Sequence, residues 1–339
     1  MGKYLLIIAI VLFLPQVYYL IKDRTYKDIN NGSKFFLKDS KKIEGNHTRL
    51  TLTNTDGFDL SANLFNVENP KALVQIVHGV FEHSGNYIDF IKFLNANGYA
   101  VIAADNRGHG RSVSEKYPSA YLRNLDELID DQVMLNKFMR TFYGDRPVYM
   151  LGHSFGSILG RLYLRDHDES IDKLVLTGTV AYRPVAIFGV FLGNILSFYL
   201  GEYRKSKILD KLTGVADTDI SWISYNKENI RIKENDPLRL GGFLARANVV
   251  LIQSNLKLHQ FSKFKVKNKD LKILSLTGED DKVVMGDKGL KDSIESLKKV
   301  GYKNVDYKVY KNMKHEVLCE DDRELVYKDI IKFFEEDWL

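Results

Sequence analysis

The chain has 339 residues, 45% of them hydrophobic, which suffices for a large buried core in a single α/β unit. Its formal net charge of +5 is modest and dispersed, with no Arg/Lys stripe interleaved with aromatics; this argues against a nucleic-acid groove and is compatible with attraction to anionic lipid. Cys319 is the single cysteine, so an intramolecular disulfide and a cysteine-based zinc site are excluded.

Residues 4 to 21, YLLIIAIVLFLPQVYYLI, carry no charge. A helix of that length spans about 27 Å, close to a hydrocarbon core of ~30 Å. Residues 1–22 are therefore expected to be a membrane anchor or a signal segment, although no small-x-small cleavage site follows. Lys22, Arg24, Lys27 and Lys34 follow the run and Lys3 alone precedes it. The positive-inside rule puts the large domain on the cytoplasmic side, a signal anchor puts it outside, and the sequence leaves both open. Residues 23–48 are polar and lysine-rich at their start, and are expected to form a tether.

Residues 49–55 alternate, Asp56-Gly57 makes a hairpin turn, and residues 59–66 return as the partner strand. Apolar runs at 72–78, 99–104, 147–152, 171–178 and 272–277 predict buried strands, and a further strand is expected at 305–310. Helical patterns are expected near 87–96, 123–142, 157–165, 286–299 and 321–335. This alternation predicts an α/β fold with a mainly parallel sheet flanked by helices. It stops between 181 and 265, where apolar and aromatic stretches contain no convincing strand. That region is expected to be a helical insertion within a core formed by residues 49–180 and 266–339. Gly189 and Gly193 argue against a second membrane span in it.

Gly152-His153-Ser154-Phe155-Gly156 matches G-x-S-x-G between an apolar strand and an apolar helix. A nucleophilic serine needs such a sharp strand-to-helix turn, and the helix start offers free backbone N–H groups. Ser154 is the expected nucleophile, and the Phe155 N–H is an expected oxyanion donor. His315, late in the chain and just past a strand, is the expected base. Asp280 and Asp281 both follow the strand at 272–277, and either could orient the imidazole. The loop from His78 to Gly85 ends another buried strand and is expected to supply a second oxyanion donor. Its histidines lack a companion set for a metal, and Asp105–Ser112 lacks a P-loop Lys-Ser/Thr. No metal and no cofactor is expected.

Together these segments resemble the monoacylglycerol lipase and lysophospholipase branch of the α/β-hydrolases, which is grouped with serine aminopeptidase-like hydrolases. The resemblance covers roughly residues 50–337. HGVFEHSGNY (78–87) is similar to the family's HGxGEHSGRY, DNRGHGRS (105–112) to its DxRGHGxS, and GHSFGS (152–157) to its GHSMGG. The resemblance implies an α/β-hydrolase fold with a helical cap at 181–265, and Asp236-Pro237-Leu238 matches a stretch found late in that cap. It implies the triad Ser154, His315 and Asp281, the last through a G-x-x-D turn counted from Gly278, and oxyanion donors at the Val80 and Phe155 N–H groups. Two positions depart from the family: Phe81 and Ser157 stand where glycines are usual.

The expected activity is hydrolysis of a lipid carboxylic ester, a monoacylglycerol or a lysophospholipid, at a membrane. A small-ester or peptide hydrolase would use the same triad. A non-catalytic binding protein on a hydrolase scaffold would have no need of it. Oligomeric state is left open.

Overall fold

The computed structural model describes residues 2–26, 35–214 and 219–336. Five apolar runs form the centre of its sheet: β4 (Ala72–Val77), β5 (Tyr99–Ala104), β6 (Val148–His153), β7 (Lys173–Thr177) and β8 (Lys272–Gly278). They are buried almost throughout, as strands covered on both faces must be. They run parallel to one another and to β9 (Asn304–Tyr310). Antiparallel strands β1 (Phe36–Glu44), β2 (His47–Thr53) and β3 (Asp59–Phe65) extend the sheet beyond β5.

The nine strands lie in the order β1-β2-β3-β5-β4-β6-β7-β8-β9. β5 flanks β4 on one side and β6 on the other, so the chain reverses its direction across the sheet at β4. Sheets of this kind open a crevice at their strand ends where the order reverses. Helices cover both faces. α3 (Leu125–Tyr143), α4 (Phe155–His167) and α9 (Gly286–Val300) bury Met134, Leu159 and Ile294 in one apolar layer. α2 (Ile88–Ala96) and α10 (Arg323–Glu335) bury Phe90, Val326 and Phe333 in the other.

Between β7 and β8 the chain leaves the sheet and forms α5 (Ala186–Leu200), α6 (Lys207–Thr213), α7 (Lys227–Glu234) and α8 (Ala245–Lys257). We refer to this insertion as the cap. Its α5 and α8 pack closely through Gly193, where a Cβ would lie 2.6 Å from Val249 Cγ2. The glycines of α5 thus make a helix–helix contact.

The N-terminal part departs from the expectation of a tether at 23–48. The first helix, α1 (Gly2–Tyr26), continues past residue 23, and Phe36–Glu44 pair with β2 as an edge strand; residues 27–34 lie outside the described residues. All nine residues of β1 are exposed, so no buried alternation marks the strand in the sequence. Lys38, Lys41 and Lys42 suit an edge that must not pair with another chain. α1 is long and apolar enough to cross a membrane, with a mean hydropathy of 2.3 and 11% of its apolar window buried.

Loop 105–112 is fastened to α3 and to the β2–β3 turn by a buried ion cluster. Arg107 donates through Nε and Nη2 to Asp131 at 2.6 and 2.8 Å, and through Nη1 to Asp56 of the β2–β3 turn at 2.5 Å. Asn54 Nδ2 donates to the same Asp131 at 2.7 Å. Removing one partner of a buried pair strands the other charge. Asp131→Ala is therefore expected to lower stability by ~3–5 kcal/mol. Urea unfolding would measure this, and a loss under ~1 kcal/mol would show that Asp56 and water compensate Arg107.

Candidate active site

β6 passes into α4 with one residue between them. That residue, Ser154, has φ 52° and ψ −116°, a strained conformation for a side chain larger than glycine. The turn is crowded by backbone. A Cβ on Gly156 would lie 2.0 Å from the Val77 carbonyl oxygen, and one on Gly152 would lie 2.3 Å from that of Gly156. Phe155 opens α4, so its N–H is one of the first-turn amides that lack an intrahelical acceptor.

After β8 the turn sends its two aspartates to opposite sides. Asp281 points inward, where its Oδ2 lies 2.9 Å from His315 Nδ1 and its Oδ1 accepts from Val283 N–H at 2.8 Å. Asp280 is exposed and accepts from Tyr225 O–H at 2.9 Å. Burial would raise the Asp281 carboxyl, but the facing imidazole and the Val283 amide hold it below the usual carboxylate range. Burial would likewise lower His315, and Asp281, Glu316 and Glu82 together outweigh it and raise its pKa. With Nδ1 facing Asp281, Nε2 is the ring nitrogen left for a substrate or hydroxyl.

Ser154, His315, Val80 and Phe155 line a single cavity of about 240 Å³. One part of its wall is apolar, with Ile158, Val180, Leu212 and Leu251. Trp222 of the cap lies over His315, with ring centroids 5.3 Å apart. Another part is charged and joins three segments. Lys233 of α7 is buried between Glu82 of the first loop and Glu316 beside the histidine, with both Nζ–carboxylate distances 2.5 Å. Glu82 also accepts from Gly79 N–H at 2.9 Å and from Tyr87 O–H at 2.8 Å. Asp236 reaches His83 Nε2 at 2.7 Å, so the Asp236-Pro237-Leu238 stretch ties the cap to the same loop.

Glu82, His153 and Glu316 offer ligand atoms within 4.8 Å of one another, the one such group found among the described residues. Lys233 already provides the positive charge between its two carboxylates, and burial pushes the His153 imidazole down to about 3, so it is neutral. His78 is a structural histidine. Asn106 N–H donates to its Nε2 at 2.8 Å, which places the proton on Nδ1, 2.7 Å from the Gly79 carbonyl oxygen.

Phe81 has φ 63°, so it keeps the backbone conformation for which a glycine is usual. Its ring stacks on Phe243 of the cap, with centroids 5.0 Å apart. Ser157 is buried behind Val180 of the cavity wall, and its Oγ accepts from Val180 N–H at 3.2 Å.

The profile of the serine aminopeptidase S33 family matches residues 68–322. The chain belongs to that family. It is an α/β-hydrolase related to monoacylglycerol lipases and esterases. The chain is 27% identical to a monoacylglycerol lipase of Mycolicibacterium smegmatis over 271 residues, 77% of this chain and 87% of that protein. It is 24% identical to phospholipase YtpA of Bacillus subtilis over 262 residues, 77% of this chain and 94% of that protein. Among solved structures, a thermostable carboxyl esterase from Bacillus coagulans superposes with a TM-score of 0.74 at 24% identity, covering 86% of this chain and 98% of that one. The S33 fold here is thus that of carboxylic ester hydrolases of the lipase and lysophospholipase type.

Glu82 and Glu316 stand in segments that the motifs already mark. Nothing in the sequence marks Lys233, because α7 reads KENIRIKE and resembles a solvated helix face. Trp222 lies in the cap, where no periodic pattern points to the site.

The two aspartates make contacts that give different expectations. Asp281→Asn should lower turnover of a soluble ester by ~10²- to 10⁴-fold, through loss of the oriented tautomer, while Asp280→Asn should cost under ~10-fold. The opposite ranking, in variants with unchanged thermal melts, would reassign the acid. The raised pKa of His315 also has a sign. A base must be neutral, so kcat/KM should fall as pH drops through a midpoint above that of an ordinary imidazole. Asp281→Asn should move that midpoint to lower pH, and an unmoved midpoint would mean that another group titrates.

Proposed function

We propose that the protein is a membrane-associated lipid-ester hydrolase that acts on a monoacylglycerol or lysophospholipid through an acyl-enzyme. Ser154 Oγ attacks the ester carbonyl carbon and passes its proton to His315 Nε2. Asp281 holds the imidazole and stabilises the imidazolium. The Val80 and Phe155 N–H groups receive the oxyanion. Collapse expels the glycerol-side oxygen, which takes the proton from His315. Water then attacks the acyl-enzyme, gives a proton to His315 and frees the fatty acid, and the proton returns to Ser154.

The observation that carries this reading is the convergence of the Ser154 turn and the Asp281–His315 pair on one cavity. That cavity is partly apolar and partly charged, as an amphipathic substrate requires. The two curated relatives named above act on a monoacylglycerol and on a phospholipid by name. α1 would hold the enzyme at the membrane where such substrates reside.

A fluorophosphonate probe should label the wild-type chain, and Ser154→Ala should abolish labelling. Ser154→Ala and His315→Ala should each lower turnover by ~10³-fold or more, and the double variant should lose little beyond either one. Turnover should be higher on monoacylglycerols and lysophospholipids than on short esters or aminoacyl amides. No labelling of folded wild-type chain would favour a binding protein. A preference for short esters or amides would retain the triad and reject the lipid substrate.

A further inference from the structure

Ser157 and Arg161 stand four residues apart on α4, and so on one face of the helix that begins at Ser154. Arg161 is 2% exposed, and among the described residues no carboxylate lies within ion-pair distance of it. Its guanidinium donates to two backbone carbonyls, through Nε to Ser157 at 3.2 Å and through Nη2 to Val180 at 2.6 Å. Ser157 Oγ accepts from the N–H of the same Val180 at 3.2 Å. Both backbone polar groups of Val180 are thus held by side chains of α4, and Val180 lines the apolar part of the cavity.

Val180 sits in the segment 178–183 that carries the chain from β7 into the cap. A Cβ on Gly178 would lie 2.7 Å from His315 Cε1, so the backbone there passes against the imidazole. Thr179 Oγ1 lies 2.8 Å from Ser275 Oγ of β8. Ala181 N–H donates to the Val283 carbonyl at 3.3 Å, and its carbonyl accepts from Asn255 of α8 at 2.8 Å. Arg183 N–H donates to the same Asn255 at 2.8 Å. Val180 lies between these anchor points, outside strand and helix, and the two α4 side chains supply partners for its backbone. A buried cation without an ion partner is costly, and burial lowers the pKa of Arg161, an effect that Asp292 offsets only in part. Methionine would fill the same space without that cost, but it cannot donate. A buried carbonyl left unpaired is itself expensive, and a charged donor makes the stronger bond to it. Glycine at 157, usual in the family, would offer the Val180 N–H no side-chain acceptor.

We propose that Ser157 and Arg161 are positioning residues for acyl-chain selection: by clamping the Val180 backbone to α4, they fix the apolar wall relative to Ser154 and so favour long acyl chains over short ones. A chain lying along a fixed wall gains contact with each added methylene, and a wall that yields loses that gain. Both residues act through Val180, which lines the cavity. This rests on the ester-hydrolase reading given under Proposed function, in which the apolar part of the cavity receives the acyl chain, and adds to it the device that sets the chain preference.

The test uses the full chain in detergent micelles, with p-nitrophenyl butyrate and p-nitrophenyl laurate as substrates. Arg161→Met keeps the volume and removes the donors, and Ser157→Gly removes the acceptor. The laurate-to-butyrate ratio of kcat/KM should fall ~10-fold in Arg161→Met, the contact of about two methylenes, and ~3-fold in Ser157→Gly, chiefly through KM for laurate. The double variant should fall little below Arg161→Met, because both side chains hold one residue. Arg161→Lys, which can still donate to the Val180 carbonyl, should keep the ratio within ~3-fold of wild type. Val180→Ala should lower the ratio as well. An unchanged ratio in Val180→Ala, or in Arg161→Met and Ser157→Gly together, would overturn the proposal. Equal losses on both esters would also overturn it and assign the pair to the fold or the triad. If thermal melts show that Arg161→Met does not fold, Ser157→Gly decides by the same ratio. Turnover of both esters that survives Ser154→Ala would instead overturn the hydrolase reading itself.

Discussion

Ser154 is held at φ 52° and ψ −116° because β6 stops and α4 begins around it with no loop to relax the turn. Such a conformation costs of order 1–3 kcal/mol and persists only where the surroundings leave no alternative. The surroundings here are backbone atoms. Gly156 sits against the Val77 carbonyl, so the end of β4 is pressed against the start of α4. That contact also sets the first loop beside the serine: a Cβ on Gly79 would lie 3.0 Å from Ser154 Cβ. The relative placement of a hydroxyl and two backbone amides thus follows from strand spacing and helix position, and little of it depends on flexible side chains.

The cap is joined to this frame by charge. Lys233 is buried between Glu82 and Glu316, and so links α7, the first loop and the histidine loop at one point. Desolvating three charges is costly, and such a cluster is weak grounds for stability. Its value is geometric. The shared ammonium holds Glu82 against the Gly79 amide and Glu316 against Asn229 of α7. Both carboxylates help to raise the pKa of His315, so the segment that closes the cavity also bears on the group that titrates in it.

The parallel strands were legible because strands buried on both faces need continuous apolar runs, and ALVQIV or YAVIAA admits few other readings. The Ser154 turn was legible because its glycines are demanded by contacts a few residues away. β1 was not, since its nine residues have no buried face and the pairing that makes it a strand is made by backbone. Asp280 and Asp281 could not be separated from local pattern, because the turn after Gly278 decides which one faces His315. The place of Lys233 was illegible for a related reason. Its partners Glu316 and Glu82 are 83 and 151 residues distant, and its side chain taken alone suits a solvated helix.

Phe81 shows how a departure from the family motif can be absorbed. A side chain at φ 63° carries a strain of order 1–2 kcal/mol that glycine would not. The backbone keeps glycine's conformation next to Val80, which lines the cavity. The ring then has to go somewhere, and it goes to the cap. It stacks on Phe243, Arg239 lies over it at 5.9 Å, and its carbonyl accepts from Leu240 N–H at 3.2 Å. An aromatic pair contributes about 0.5–1.5 kcal/mol beyond its buried area, comparable with the strain. Phe81 thus adds an aromatic contact to the backbone bond that fastens the first loop to the segment at 239–243. With Lys233 and Asp236 nearby, the cap grips the first loop at three successive points of contact, one ionic, one hydrogen-bonded to His83 and one aromatic.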